Sequence, residues 1–95
     1  MWGRKAQVAA RKGVISGRVQ SVAFRFYTRQ EATQLQLRGW VRNLPAGSVE
    51  FQVEGDPTAL DEFIAWLSVG PPRAQVSGVD SEECAVEGFS SFEIR

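Results

Sequence analysis

Apolar residues recur along this chain in two rhythms, and the rhythms mark out its elements. Val49, Phe51 and Val53 alternate with Glu50, Gln52 and Glu54, the period of a strand with one buried face. Leu60, Phe63, Ile64 and Leu67 follow the i, i+3, i+4, i+7 spacing of a helix, which Asp56 is suited to cap and Pro57 to begin. Gly70, Pro71 and Pro72 end that helix. Upstream, Phe24, Tyr27 or Thr28, Ala32 and Leu35 lie near helical spacing with Arg29, Gln30 and Gln34 elsewhere on the wheel, and Ser21 stands where an N-cap would be. Val14 and Ile15 predict a first strand over residues 10–16 that stops at Gly17. Trp40 and Val41 predict another, separated from the alternating strand by a hairpin break at Pro45 to Gly47. Residues 74–79 alternate weakly as a further strand, and 92–95 could add a short one at an edge.

The order β-α-β-β-α-β predicts an α+β, ferredoxin-like sandwich, with an antiparallel sheet and both helices on one face, over residues 10–95. The crossovers of that topology set the first strand beside the third, so the segment after the first strand sits at the sheet's end near the second. Residues 1–9 have no clear period and are read as a flexible N-terminal extension.

Composition narrows the chemistry. The 95 residues suffice for one compact core but not two, so a site must be assembled from pieces of a single domain. There is no histidine, hence neither the usual general base nor the commonest zinc ligand, and Cys84 is the only cysteine, which excludes an internal disulfide or a cysteine metal cage. No apolar run approaches a membrane span, and the first twelve residues do not resemble a signal peptide, so a cytoplasmic protein is expected. Net charge is zero but uneven. Residues 1–45 carry nine Lys/Arg against Glu31 alone, while 46–95 carry Arg73 and Arg95 against ten acids. Within one domain these halves interleave and their fields partly cancel, which still allows a local anion site in the basic half.

Two stretches hold candidate chemistry. The first, S-G-R-V-Q-S-V-A-F-R from Ser16 to Arg25, is a strand-to-helix turn. Successive backbone amides from Arg18 through Val19, Gln20, Ser21 and Val22, with the positive end of the helix, could form an anion cradle, and Arg25 could add a bidentate grip on phosphate. Many such turns contain glycine and arginine and bind nothing, so the residues alone favour a solvated turn. The second stretch, L-R-G-W-V-R-N, ends at Asn43, where the strand enters the hairpin. Asparagine there is most often a turn former. Its alternative role is to accept a hydrogen bond from a water and aim that water at an electrophilic phosphorus.

Together, G-R-V-Q-S-V-A-F-R and G-W-V-R-N-L-P-A-G-S-V-E resemble the motifs G-x-V-Q-G-V-x-F-R and G-W-V-x-N-x-x-D-G-x-V-E of the acylphosphatase family. The helix containing F-I-A-W-L, the following G-P-P-R-A-Q-V and the closing F-E-I-R extend the resemblance over roughly residues 14–95. It implies metal-free, cofactor-free hydrolysis of the carboxyl-phosphate bond of acyl phosphates. By position, Arg25 would bind the substrate phosphate, Asn43 would orient the nucleophilic water, and the amides of Arg18 to Val22 would line the phosphate loop. It also implies a small-molecule acyl phosphate as substrate, inorganic phosphate or a similar anion as product or inhibitor, no nucleic-acid or membrane partner, and a monomer. Ser21 departs from the family's glycine; if that position has positive φ, serine costs on the order of 1 kcal/mol. Gln36 and Ala46 replace residues that are often glycine and aspartate, at expected surface turns.

Two rival functions remain at this level. A catalytically weak domain binding acyl or carbamoyl phosphate would keep the same arginine. An RNA-binding module of the same fold would need exposed aromatics on its central strands, of which R-G-W-V supplies a fragment, while V-E-F-Q-V-E brings acids. Trp40 and Trp66 are read as core or helix-packing residues, Cys84 as an inert thiol, and Glu82, Glu83 and Glu87 as a solvated edge.

Overall fold

A computed structural model describes residues 7–20 and 22–95. Strand β1 (Ala9–Arg18) is followed by helix α1 (Phe24–Gln34), strands β2 (Arg38–Asn43) and β3 (Val49–Gly55), helix α2 (Pro57–Val69), strand β4 (Gln75–Glu83) and strand β5 (Phe92–Ile94). The sheet runs β4-β1-β3-β2-β5, which is the expected ferredoxin-like order with one strand added. The expected extension over residues 1–9 lies largely outside the described residues.

Side-chain parity determines which face of the sheet is covered. Ile15, Val41, Val49, Phe51 and Val53 turn toward the helices, where they meet Phe24 and Ala32 of α1 and Leu60, Phe63 and Leu67 of α2. Of the two candidates on α1, Thr28 is buried and returns its hydroxyl to the Phe24 carbonyl at 2.8 Å, while Tyr27 is exposed. Ile64 packs against the core only in part. Asp56 caps α2, accepting from the amides of Thr58 at 3.0 Å and Ala59 at 3.2 Å.

Three features differ from the expectations. Strand β1 does not stop at Gly17, because the chain accommodates that glycine as a bulge. The β1–β4 register shifts between Ser16 and Gly17, whose φ is +122°, and a side chain there would collide with the Gln75 carbonyl. Strand β4 extends past Val79 to Glu83: on a solvent-facing edge, acidic residues do not interrupt the ladder, and Lys12 and Arg11 of β1 pair in register with Glu82 and Glu83. The sheet is mixed, since β5 runs parallel to β2 while the other pairs are antiparallel. Residues 84–91 carry the chain from β4 at one sheet edge to β5 at the other.

Trp66 packs α2 against α1, its ring 6.1 Å from that of Phe24. Trp40 does not enter the core. Val41 takes the helix side, so Trp40 turns to the opposite face, where the guanidinium groups of Arg42 and Arg95 lie 5.4 and 5.3 Å from its ring centre.

Helix α1 ends in a Schellman arrangement, with Leu37 N–H donating to the Ala32 carbonyl at 2.8 Å and Gln36 N–H to the Thr33 carbonyl at 3.0 Å. This places Gln36 at φ +59°, in the left-handed region that glycine occupies without a Cβ penalty. Gln36→Gly is expected to raise stability by about 0.5–1 kcal/mol, read as a rise in Tm of about 2–8 °C. An unchanged or lower Tm would show that the residue is unstrained.

Candidate functional site

The site is built on the contrast between the two helix starts. The first amides of a helix lack partners within the helix and need an acceptor from elsewhere. In α2 the Asp56 carboxylate fills that role. In α1 the cap position falls to Ala23, which has no side-chain acceptor, and the first turn contains no acid. Helix α1 thus begins at Phe24 with Ala23 at its cap position, and Ser21, the expected N-cap, lies outside the described residues. Among the described residues, no side chain caps the positive end of α1, and Arg25 lies in that same turn.

Backbone strain also sits at this point. Ala23 has φ +56° and ψ +31°, a left-handed conformation that alanine adopts at a cost of about 1–2 kcal/mol. The sequence raised a positive φ at Ser21; among the described residues of this turn it occurs at Ala23. A strained residue held by its surroundings is a common companion of ligand-binding loops.

The preceding loop is fixed from two directions. Val19 is 1% exposed and belongs to the core cluster, so its side chain anchors the loop from beneath. Gln20 reaches across to the β2–β3 turn and donates to the main-chain oxygens of Leu44 at 2.7 Å and Ser48 at 2.8 Å. Leu44 follows Asn43 directly, so these bonds bring the loop to the end of β2 that carries Asn43. Arg18 is exposed, while Val22 and Arg25 are half-buried.

Contacts through β5 also link Arg25 to the strand that ends at Asn43. The Arg25 Nη1 group donates to the main-chain oxygen of Arg95 at 3.4 Å, and Arg95 N–H donates to the Val41 carbonyl at 2.8 Å, two residues before Asn43. Asn43 is half-buried, and its Oδ1 is enclosed with no hydrogen-bond partner among the described residues. An orphaned acceptor of this kind costs about 1–3 kcal/mol unless a ligand or water meets it. The roles of Gln20 and of the Arg95 main chain were missed in the sequence. Gln20 was legible as a motif residue but not as a tether, and the Arg95 contact depends on β5 pairing with β2.

A groove of about 520 Å³, lined by Val22, Ala23, Tyr27, Pro71, Pro72 and Arg73, adjoins the start of α1 and shares Val22 with the expected phosphate loop; Arg25 is not among its lining residues. Among the described residues, no three His, Cys, Asp or Glu side chains gather where they could hold a metal ion, and no helix is long and apolar enough to cross a membrane. Burial pushes the Cys84 thiol up from its ordinary value, with Glu87, Glu54 and Glu82 adding to the rise and Lys12 opposing it.

The fold is a ferredoxin-like sandwich of the small α+β class, with Arg25 in the first turn of α1 and Asn43 at the end of the adjoining strand. Comparisons with known proteins then identify it. The acylphosphatase family model matches residues 11–94. An acylphosphatase of Acaryochloris marina is 52% identical over 83 residues, covering 87% of this chain and 89% of that protein. The structure of an acylphosphatase from Coxiella burnetii superposes with a TM-score of 0.90 at 42% identity, covering 93% of each chain. A crystal structure of full-length HypF in the phosphate- and nucleotide-bound form superposes with a TM-score of 0.88 at 28% identity, covering 99% of this chain and 12% of that one. The chain belongs to the acylphosphatase family, and this membership supports acyl-phosphate hydrolase activity in general.

Two measurements test the local geometry. Gln20→Ala removes two hydrogen bonds to main-chain oxygens that keep their hairpin donors, Gly47 N–H on Leu44 and Leu44 N–H on Ser48; at about 0.5–1.5 kcal/mol per bond, urea unfolding should show a loss of about 1–3 kcal/mol, and a loss below about 0.5 would mean the tether is not formed in solution. A raised thiol pKa leaves less thiolate at a given pH, so Cys84 should alkylate more slowly than a free cysteine at pH 8, and the gap should narrow as pH rises.

Proposed function

We propose that this protein is an acylphosphatase that hydrolyses the carboxyl-phosphate bond of small acyl phosphates by direct attack of water, without a metal, cofactor or covalent enzyme intermediate. The active unit is residues 10–95, acting as a monomer. Arg25 and the amides of Arg18, Val19, Gln20, Ser21 and Val22 hold the phosphate, and the start of α1 adds its partial positive charge. Asn43 accepts a hydrogen bond from the attacking water through Oδ1 and turns a lone pair toward phosphorus.

The new bond joins the water oxygen to phosphorus as the bond from phosphorus to the acyl oxygen breaks. The electron pair leaves on the carboxylate, already a good leaving group, and the water's proton passes to a phosphate oxygen. No strong general acid or base is required, in keeping with a sequence that contains no histidine. Catalysis then rests on positioning and charge stabilisation, which dominate phosphoryl transfer.

The observation that carries this reading is the partnerless Asn43 Oδ1 beside a loop that Gln20 ties to the next residue. A water seated there would provide the missing hydrogen bond. A second reading, a catalytically weak domain that binds acyl or carbamoyl phosphate, draws support from the likeness to one-eighth of a HypF chain in a phosphate-bound form.

Turnover distinguishes the two. The protein should hydrolyse benzoyl phosphate in the presence of a chelator, with inorganic phosphate as a competitive inhibitor. Arg25→Ala should lower kcat/KM by about 10³-fold or more, and Asn43→Ala should lower kcat by about 10²- to 10³-fold with the fold intact. Binding without turnover would establish the second reading, and near wild-type turnover in folded Asn43→Ala would remove that residue from the mechanism.

A further inference from the structure

Glu54 is fully buried, yet by strand parity it lies on the sheet face opposite the helices, next to Val53 in the core. What covers it is the crossover of residues 84–91. This segment touches the inner strands in their order across the sheet. Cys84 N–H donates to Ala10 of β1 at 3.1 Å, three amides reach Glu54 of β3, and Ser91 accepts from Gly39 of β2 at 2.9 Å. The amides at the centre are those of Glu87, Gly88 and Phe89. Glu54 Oε1 accepts from Gly88 at 3.0 Å and from Phe89 at 3.1 Å, and Oε2 accepts from Glu87 and, at 3.3 Å, from Gly88. Residues 85–88 are themselves exposed, and the middle of the crossover is held by this carboxylate through three amides and by Gln52, which donates to the Glu87 carboxylate at 3.0 Å.

The anchor leads to Arg25 in three contacts. Glu54 holds the Phe89 amide, the Phe89 ring lies 5.8 Å from the Arg95 guanidinium, and the Arg95 main-chain oxygen accepts from Arg25. Strand β5, which sets that oxygen, has only three residues and one partner strand; Phe92 seats it in the core, and its end at Arg95 is held by the N–H bond to Val41 and by the Trp40 and Phe89 rings on its guanidinium. We propose that Glu54 is a positioning residue for Arg25, acting through the 84–91 crossover and β5 to set the guanidinium for phosphate. This rests on the reading of Arg25 as the phosphate ligand.

The test is Glu54→Gln, which replaces one acceptor oxygen by a donor facing an amide donor. Three effects are expected. The Arg95 N–H should exchange with solvent about tenfold faster while the Phe51 amide is unchanged, and the Arg25 guanidinium NMR resonance should shift. For benzoyl phosphate, kcat/KM should fall about fivefold, and this fall should shrink to within about twofold in an Arg25→Lys background. Phe89→Ala, which leaves Glu54 and the core untouched, should reproduce the resonance shift and the kinetic loss if Glu54→Gln fails to fold. An unmoved Arg25 resonance in the folded variant, or equal kinetic losses in both Arg25 backgrounds, would overturn the proposal. If the wild-type chain turns over no acyl phosphate, the enzymatic reading falls on its own, and the Arg25 resonance still decides whether Glu54 sets that side chain.

Discussion

The two hydrogen bonds from the Gln20 amide to the hairpin carbonyls are the constraint on which the rest of the site depends. The loop after β1 and the β2–β3 turn are separate in sequence, and the turn's own hydrogen bonds, Leu44 N–H to Ser48 and Gly47 N–H to Leu44, do not reach the loop. Gln20 fixes one to the other by main-chain acceptors, so the geometry does not depend on which side chains occupy the hairpin. The core secures the same loop through Val19, and the strained Ala23 passes directly into α1. Phosphate chemistry that works by position requires such rigidity in the loop itself.

Charge follows the same logic of placement. The basic first half and acidic second half of the chain meet along β1 and β4, where Arg11 and Lys12 face Glu83 and Glu82. The start of α1, by contrast, has no acid in its first turn and Arg25 beside it. Arg42 is engaged by Glu50 at 2.6 Å, and its other face stacks on Trp40. An exposed pair of this kind contributes about 0–1 kcal/mol, so its consequence is to occupy Arg42 more than to stabilise the sheet.

Much of the fold could be read from the chain because burial parity and caps are local. The alternation of Val49, Phe51 and Val53 and the Asp56-Pro57 start of α2 appear in the structure as the sequence indicates. The misreadings arose where a local signal had a tertiary use. Gly17 reads as a stop but serves a bulge, the strand read over 74–79 runs on through the acids to Glu83, and Trp40 reads as core but lies against Arg42 of its own strand and Arg95 beside it. At the site, Arg25 and Asn43 stand out by residue type and motif. The tether from Gln20 and the contact with Arg95 depend on which strands become neighbours, and no spacing in the chain encodes that directly.

The two ends of the sheet are unlike. On one side, the three residues of β5 expose too short a row of backbone groups to recruit much. On the other, β4 offers a nine-residue row, but Asp80, Glu82 and Glu83 stud it with negative charge. A second molecule adding its own β4 there would bring like charges together, so the border that most invites templated stacking into fibrils carries its own electrostatic deterrent.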